Sequence, residues 1–347
     1  MPHTICVFNV NNLYARYRFG RTFPGDVAGK SAVNDPHCGY APMYEPSAFE
    51  LFVPEQRALA ALAITRGDDR YPDVICLVEV ESMVALRLFA EHHLAEGGYS
   101  RAVLIDGRDL RRINVGVLSR LDIVGIRTHI DDRDPDAPPG TGWVFSRDCL
   151  EVDLALGPAG DRRLTLFVNH FKSKYAENAE ESRRADAARL RQATAVRHIV
   201  SRRFPDAATD QSLFAVVGDL NDTPDSPCLA PLFETPLLVD AMARVPAPQD
   251  RWTEWHRGAN EVSQLDHVLL SPALDHATAG CVPVIERRAI GFERTLVDGR
   301  TGPRHTHWKA HAAAASGSEV DFQFPRFSDV TPSWAASDHS PVFFEVP

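Results

Sequence analysis

The chain has 347 residues, of which 44% are hydrophobic and 24% are charged, close to an average globular protein. This composition excludes a globally disordered chain, and no apolar run reaches the roughly 18 residues that a membrane-spanning helix needs. The 37 Lys and Arg residues against 47 Asp and Glu give a formal net charge of −10, so a phosphate-bearing substrate needs a local binding site.

The first residues and the cysteines bear on the cellular compartment. The segment from Met1 to Cys6 lacks the charged start and the long apolar stretch of a secretory leader. The six cysteines are widely spaced, which excludes paired CxxC motifs for zinc or redox chemistry. Cys6 and Cys76 fall in apolar, strand-like runs, so we expect buried thiols in a reducing compartment. Together these features predict a cytoplasmic protein without membrane insertion.

Apolar patterns predict alternating strands and helices along the whole chain. Short β-branched runs predict strands at 4–10, 73–80, 113–118, 150–156, 164–170, 213–218, 267–270 and 341–346. Helical patterns lie between them at 54–65, 83–94 and 179–204. Because no linker or repeat interrupts the alternation, we predict one α/β domain over residues 1–347. The stretches 15–52 and 286–336 are too long for ordinary connections and are interpreted as functional insertions.

Polar residues follow several of these predicted strands at the point where the apolar run stops. They are Asn9 and Asn11, Glu79, Asn169 and His170, and Asp219 and Asn221. Burying such groups unpaired costs several kcal/mol, so we expect them to cluster in a polar cleft at one rim of the sheets. Oxygen ligands dominate this set, which favours Mg²⁺, with Mn²⁺ as the alternative, over zinc.

Two more carboxylates complete the set. Asp266 stands at the start of a predicted strand, and Asp338 and His339 directly precede the last one. An Asp paired with a His can fix the tautomer of the ring and hold it as an imidazolium ion. A positive group of this kind suits a phosphoryl oxygen.

Six blocks in order carry a resemblance to a known family. They are Asn9-Val10-Asn11, Leu77-Val78-Glu79, Asn169-His170-Phe171-Lys172-Ser173-Lys174, Gly218-Asp219-Leu220-Asn221-Asp222, Leu265-Asp266-His267 and Ser337-Asp338-His339. This series resembles the endonuclease/exonuclease/phosphatase family, which includes exonuclease III-like repair nucleases, pancreatic-type deoxyribonucleases, sphingomyelinases and inositol-phosphate 5-phosphatases. The resemblance implies an α/β fold: a four-layer sandwich of two mixed β-sheets flanked by helices, with the active site at one edge of the sheets.

The resemblance also implies a metal site. Glu79 would be the principal Mg²⁺ ligand, with Asn9 and Asn11 beside it and Asp338 as a second ligand of the metal or of a water. Many relatives carry a carboxylate where this chain has Asn11. A metal site with less negative charge is expected to bind its ion more weakly.

Catalytic roles follow from the same resemblance. Asp219 would orient or deprotonate the attacking water, and Asn221 would hold that water or a phosphate oxygen. His170 and His339 would contact the phosphate, with Asp266 orienting His339. The implied reaction is in-line attack of water on phosphorus.

Substrate contacts are carried over at four further positions. Asn114 occupies a strand where relatives place a substrate-facing polar residue, and Arg147 is expected to support the site. Lys172 is interpreted either as a source of local phosphate attraction or as part of a solvated loop. Trp252, which precedes Thr253, is interpreted either as a substrate contact or as core packing.

Three functions compete at this point. The first is a Mg²⁺-dependent phosphodiesterase, a nuclease acting on DNA or RNA. The mixed aromatic and Arg residues at 14–21 either offer stacking and phosphate contacts for such a substrate or form an inserted loop that packs its rings on the domain. The second is a phosphomonoesterase, or a phosphodiesterase for lipids or small molecules, on the same scaffold. The third is a non-catalytic binding protein, which is disfavoured because Glu79, His170, Asp219 and His339 are all present. The oligomeric state is left open.

Overall fold

The computed structural model of the protein describes most of the chain. It covers residues 2–13, 54–135, 137, 142–157, 160–207, 209, 211–256, 261–290, 307–312, 319–323 and 335–347. The predicted insertion at 15–52 lies outside these residues, as does much of the one predicted at 286–336. The single-domain interpretation and both insertions stay predictions.

The described residues form sixteen strands and five α-helices. In chain order the strands are β1 (His3–Leu13), β2 (Val74–Val80), β3 (Arg101–Leu104), β4 (Asn114–Ser119), β5 (Ile123–Arg127), β6 (Leu150–Leu156), β7 (Arg162–His170), β8 (Leu213–Asp219), β9 (Val239–Asp240), β10 (Glu254–His256), β11 (Glu261–Ser263), β12 (Asp266–Leu270), β13 (Val284–Ile285), β14 (His307–Ala312), β15 (Glu319–Gln323) and β16 (Val342–Val346). The helices are α1 (Pro54–Ile64), α2 (Met83–His93), α3 (Ala179–Arg203), α4 (Ala230–Phe233) and α5 (Pro272–Ala277), with 3-10 turns at Ala95–Gly97, Ala241–Arg244 and Pro248–Asp250. Every strand and helix predicted above is present with similar boundaries.

These strands form two large mixed sheets and one smaller sheet. The first six-stranded sheet has the order β13-β16-β1-β2-β4-β3, and the second has the order β5-β6-β7-β8-β12-β9. Each contains one parallel pair, β1 with β2 and β7 with β8, while their other pairs are antiparallel. A four-stranded sheet joins β10, β11, β14 and β15.

Alternating apolar residues build the layers of the molecule. In β1, Ile5 and Val7 belong to the core between the two large sheets, whereas Cys6 and Phe8 pack on the opposite face with α1 and α2. The period of two in side-chain direction explains this division. The outer face of the second sheet packs against α3 and α4. The result is the predicted four-layer α/β sandwich, which is confirmed.

The long helix α3 has clear signals at both ends. The Asn178 side chain caps its start by accepting hydrogen bonds from the backbone N–H groups of Glu180 and Glu181. These two acidic residues in the first turn, and Arg202 and Arg203 in the last, oppose the charges of the helix dipole. This helix covers the strand pair that ends in His170 and Asp219, and so supports the candidate site from behind.

The helices and the cysteines bear on the predictions about membrane insertion and buried thiols. Among the described residues, no helix is long and apolar enough to cross a membrane. The cysteines at positions 6, 76, 149, 228 and 281 are free thiols, and Cys38 lies outside the described residues.

Candidate active site

The parallel strand pairs bring the predicted site residues to one edge of the sheets. Asn9 lies opposite Val78, next to Glu79, and His170 lies directly opposite Asp219. Asp219 is in turn opposite Asp266 on β12. Since parallel strands end at the same edge, residues far apart in the chain meet there.

Unusual backbone angles accompany these strand ends. Asn11, Glu79 and Asn221 have positive φ angles of 47°, 67° and 54°. Non-glycine residues rarely adopt this left-handed region, and when they do they cluster at functional sites. At Asn11 and Glu79 they accompany irregularities of the sheet, where the register between β1 and β2 and between β2 and β4 shifts.

Gly218 permits the close approach of β7 and β8 beside Asp219. Its φ is 127°, and a Cβ atom placed there would lie 2.0 Å from the carbonyl oxygen of Asn169. Only glycine fits this position without displacing backbone. The glycine therefore allows the register that sets Asp219 against His170.

The buried Asp219 carboxylate is the centre of the cluster. Its Oδ2 accepts hydrogen bonds from Asn9 Nδ2 (3.0 Å) and Asn221 Nδ2 (3.0 Å), and its Oδ1 accepts one from Asn221 N (2.8 Å). Burial raises the pKa of Asp219 to about 7, although the charge of His339 opposes this shift. A carboxyl group with a pKa near neutrality can accept a proton from water close to physiological pH.

His339 and Asp266 form a hydrogen-bonded pair beside Asp219. His339 Nδ1 lies 2.7 Å from Asp266 Oδ2, and its Nε2 lies 3.8 Å from Asp219 Oδ2. Burial alone would lower the pKa of His339, but the charges of Asp266 and Asp219 and the hydrogen bond outweigh it and raise the pKa well above its ordinary value. The ring is therefore an imidazolium ion between two carboxylates.

Hydroxyl groups hold this pair in place. Thr253 Oγ1 accepts hydrogen bonds from the backbone N–H groups of Asp266 (2.9 Å) and Leu265 (3.1 Å). Ser337 Oγ accepts one from His339 N (3.0 Å) and donates one to Asn9 O (2.7 Å). Ser337 thereby ties the segment that carries His339 to the end of β1.

On the other side of Asp219, His170 links it to Glu79. His170 Nε2 lies 3.7 Å from Asp219 Oδ2 and 3.8 Å from Glu79 Oε1. Burial, together with the nearby positive charges of Arg147 and His339, lowers the pKa of His170 well below its ordinary value. A continuous line of neighbours therefore runs from Glu79 through His170, Asp219 and His339 to Asp266.

The surroundings of Glu79 fit a divalent cation. Its carboxylate accepts no hydrogen bond from the described residues, and burial, followed by the charge of Asp338, raises its pKa. A cation at this carboxylate would offset both effects. Asn9 Oδ1 accepts a hydrogen bond from Asn11 N (3.0 Å), and Asn11 Oδ1 accepts one from Asn12 Nδ2 (2.9 Å). Both amide oxygens therefore already have a hydrogen-bond donor beside them.

A second donor set lies in the same cluster. Asp219, Asp266 and His339 offer ligand atoms that all lie within 4.8 Å of one another. Because His339 Nδ1 is already hydrogen-bonded to Asp266, its Nε2 and Asp219 Oδ2 face a common space. This arrangement suits a water molecule or a phosphoryl oxygen between them.

Two of the predicted substrate contacts border the cluster. Arg147 is buried, donates to Phe171 O (3.0 Å) and lies 3.3 Å from Asp109 Oδ2, and its charge acts on Glu79 and Asp219. Lys172 is exposed at the rim, and partial burial together with the charge of Arg147 lowers its pKa. These two residues place positive charge next to the line of carboxylates.

The other two predicted contacts have structural partners. The buried Asn114 amide donates a hydrogen bond to Glu81 O (2.9 Å) and accepts one from Gly107 N (2.8 Å). These two hydrogen bonds stabilise the turn before β4. Trp252 is buried, with the Arg287 guanidinium 4.3 Å from its ring centroid. In this structure the geometry favours the core-packing interpretation of Trp252.

Sequence patterns did not identify Glu254 as part of the site. This residue is 8% exposed and lies opposite His339 in an isolated antiparallel bridge. Burial raises the pKa of Glu254 to about 8, with His339 opposing the shift and Asp338 adding to it. Glu254 belongs to a strand of only three residues, too short to give an alternating pattern. No signal in its own segment marked it.

The fold and the match to a family model identify the group of proteins to which this chain belongs. Two packed mixed sheets carry Asp, His and Asn side chains gathered at one edge. The chain belongs to the Endonuclease/Exonuclease/phosphatase family, whose model matches residues 55–306. Members are hydrolytic phosphoesterases that generally depend on a divalent metal. Asn9, Asn11 and His339 lie outside the matched segment.

Solved structures of similar fold extend over nearly the whole chain. Truncated TDP2 of Caenorhabditis elegans is 12% identical with a TM-score of 0.55, covering 99% of this chain and 97% of that one. Sphingomyelinase C of Streptomyces griseocarneus is 16% identical with a TM-score of 0.54 and full coverage of both chains (100%). The human Nocturnin catalytic domain with bound sulfate is 13% identical with a TM-score of 0.52, covering 100% of this chain and 94% of that one. At these identities the likeness shows the fold alone. No curated protein sequence matches the chain.

Proposed function

We propose that this protein is a divalent-metal-dependent phosphodiesterase that hydrolyses its substrate by in-line attack of water, with a nucleic acid as the first substrate class. The observation that carries the proposal is the unbroken line of side chains from Glu79 to Asp266 around one space. Family membership supports hydrolysis of a phosphoester. The positive charges of Arg147 and Lys172 at the same edge support an anionic substrate.

In the proposed mechanism, the protein's own residues move the proton and balance the charge. Asp219 accepts a proton from the attacking water as the new P–O bond forms and the bond to the leaving oxygen breaks. Asn221 and Asn9 hold the Asp219 carboxylate in position for this transfer. His339, kept positive by Asp266, stabilises the charge that builds on the phosphoryl oxygens.

The proposed metal site lies at the other end of the line. Glu79 would hold the ion, with Asn9, Asn11 and Asp338 as further oxygen donors. When bound, Mg²⁺ or Mn²⁺ supplies Lewis-acid stabilisation of the phosphoryl oxygens. His170 is neutral near pH 7 and would contact the phosphate between the metal side and Asp219.

A lipid phosphodiester is the second candidate. It is favoured by the structural likeness to a sphingomyelinase C, which shares the whole fold with this chain. Because the proposed chemistry is the same for both substrate classes, the cluster around Asp219 does not separate them.

An activity panel tests the proposal. The purified protein is assayed with Mg²⁺, Mn²⁺ or EDTA on single-stranded and duplex DNA, RNA, sphingomyelin vesicles, bis-p-nitrophenyl phosphate and p-nitrophenyl phosphate. We expect metal-dependent hydrolysis of diesters, with kcat reduced on the order of 10²- to 10⁴-fold in Asp219→Asn, the range typical of a lost general base.

Asp122→Asn is the matched control, because Asp122 is an exposed carboxylate paired with Arg101. It should retain wild-type activity. Hydrolysis of the monoester alone would contradict the diesterase proposal. Equal turnover by wild type and Asp219→Asn would remove Asp219 from its proposed role.

A further inference from the structure

Glu254 lies beside His339, at the border of the cluster around Asp219. They face each other in an antiparallel bridge, flanked by backbone hydrogen bonds of 2.9 and 2.7 Å between the two segments. This is a non-hydrogen-bonded pair, in which opposite Cα atoms are roughly 4.5 Å apart and the side chains project to the same face. The Glu254 side chain therefore lies beside the His339 imidazole.

His339 and Glu254 form a row of neighbouring side chains that continues to Ser263 on the next strand. Glu254 pairs directly with Ser263 across β10 and β11, so these two side chains also share a face. Neighbouring strands are roughly 4.8 Å apart, and the row from His339 to Ser263 therefore spans about 10 Å. That length matches a substituent attached to a phosphate held at His339.

The Glu254 carboxyl group has no partner within the described part of the chain. It is 8% exposed and makes no hydrogen bond or ion pair with those residues. The bridge to His339 sets Glu254 beside the cluster, and the charges of His339, Asp338, Asp219 and Asp266 act on its pKa. A mostly buried carboxyl group that makes no hydrogen bond within the protein is available to a ligand that supplies one.

We propose that Glu254 and Ser263 form a subsite that binds hydroxyl groups of the substrate, on a sugar or polyol esterified to the scissile phosphate. The inference rests on the proposed phosphodiesterase function and names the substrate chemistry of the same site. A carboxylate accepts hydrogen bonds from hydroxyl groups, and a serine hydroxyl both donates and accepts them. Two such groups one strand spacing apart match neighbouring hydroxyls on one substituent.

Other substituents fit the row less well. A second phosphate would be repelled by the negative charge of Glu254. An apolar group would leave both Glu254 and Ser263 without hydrogen bonds. A quaternary ammonium group would be attracted to the carboxylate but offers Ser263 no hydrogen-bonding atom.

Matched p-nitrophenyl phosphodiesters test the subsite in the presence of Mg²⁺. The ribose arm compares the uridine 5′-ester with its 2′-deoxy counterpart, and the polyol arm compares the glyceryl ester with the propyl ester. The choline ester and bis-p-nitrophenyl phosphate complete the set. Each is measured as kcat/KM for wild type, Glu254→Gln, Glu254→Leu and the control Glu261→Gln, which changes a carboxylate farther along β11.

We expect wild type to prefer the hydroxyl-bearing ester in at least one arm, and the arm that responds identifies the source of the hydroxyl. Glu254→Leu should lower kcat/KM for that ester by about 10- to 100-fold, the range of a lost hydrogen bond to a charged group. The kcat/KM of Glu254→Gln should lie between those of wild type and Glu254→Leu, because its amide oxygen still accepts a hydrogen bond. Both Glu254 variants should lose less kcat/KM on bis-p-nitrophenyl phosphate, which carries no hydroxyl group, than on the hydroxyl-bearing ester, and the control Glu261→Gln should match wild type on every ester.

Three outcomes would overturn the subsite. One is an equal loss on every ester in Glu254→Leu, which would indicate a general role in the cluster. Another is no loss on any ester, and the third is a loss confined to the choline ester. In all three, turnover of bis-p-nitrophenyl phosphate by wild type leaves the diesterase proposal standing. No turnover of any diester by wild type would reject the proposed function and the subsite together.

Discussion

Asp219 and Asp266 are two carboxylates on either side of one histidine, with different partners. Asp266 lies 2.7 Å from His339 Nδ1, whereas Asp219 lies 3.8 Å from its Nε2 and is held by Asn9 and Asn221. The proposed division of labour follows from these contacts. In the proposed mechanism, Asp266 would keep His339 charged and oriented, and Asp219 would accept the proton of the attacking water.

This division predicts the effect of Asp266→Asn. The amide keeps the shape of the side chain but removes the negative charge that stabilises the imidazolium ion. We expect kcat to fall by on the order of 10²-fold, the lower end for a lost acid-base partner, while the Mg²⁺ concentration for half-maximal activity stays the same. Steady-state kinetics over a Mg²⁺ titration measures both. An unchanged kcat would separate Asp266 from the chemistry.

The metal side of the site allows a separate test at Glu79. Glu79→Gln removes the charge of the proposed principal ligand, so we expect the half-maximal Mg²⁺ concentration to rise by at least about tenfold, the range typical of altered metal ligation. Because the Glu79 carboxylate is largely buried and accepts no hydrogen bond from the described residues, its neutralisation should leave the free energy of unfolding without metal equal or higher. Mg²⁺ titrations of activity and urea unfolding in EDTA measure the two. Wild-type Mg²⁺ dependence in this variant would place the ion elsewhere.

Among the secondary-structure elements, the parallel pair of β7 and β8 positions the centre of the site. Its register sets His170 against Asp219, and it depends on the absence of a side chain at Gly218. The pair is supported on its outer face by α3. Local backbone geometry and the catalytic arrangement are therefore linked at one residue.

Gly218→Ala should disturb this pair. The added Cβ would meet the Asn169 carbonyl oxygen at 2.0 Å, and the positive φ adds strain, so we expect a loss of about 1–3 kcal/mol in the free energy of unfolding. Urea unfolding measures the change. Gly280→Ala is the control, since a Cβ added there would meet no atom within 4 Å and its φ lies outside the left-handed region. Equal losses in the two variants would show that the strand approach does not require glycine.

For the molecule as a whole, the arrangement of the charged side chains bears more on stability than the net charge does. Despite the net charge of −10, an ion-pair network on the second sheet joins β5, β6 and α3. Glu151 pairs with Arg127 (2.6 Å), Arg203 (3.0 Å) and His129 (3.4 Å), although it is itself buried. Burial opposes the charge on His129, but the hydrogen bond to Glu151 and the charge of Asp132 raise its pKa.

The network predicts a pH-dependent stability. Because the folded-state pKa of His129 is above its unfolded value of about 6.5, its contribution is complete below that pH and is lost as the pH rises through the folded pKa. The difference in unfolding free energy between wild type and His129→Gln should therefore be largest at acidic pH and remain below about 1 kcal/mol because of solvent screening. Urea unfolding between pH 5 and 9 measures it. The exposed His276→Gln is the control, and a difference that grows with pH would contradict the assignment.

Much of the architecture was readable from local patterns. The short apolar runs of β1, β6 and β8 and the capped, amphipathic α3 reflect burial that each segment experiences along its own length. The polar residues that stop these runs marked the edge where Asn9, Glu79, His170 and Asp219 meet. The four-layer arrangement was implied by the resemblance of the six ordered motifs to the endonuclease/exonuclease/phosphatase family.

Other features depend on partners that are remote in the chain. Asn114 and Trp252 stay predicted substrate contacts, and their contacts with Gly107, Glu81 and Arg287 could not be read from the sequence. Glu254 lies beside His339 only because β10 pairs with a segment more distant in the chain. Short strands contain too few residues to establish a period, and cross-strand neighbours are set by how the sheets pack, so no local pattern encodes them.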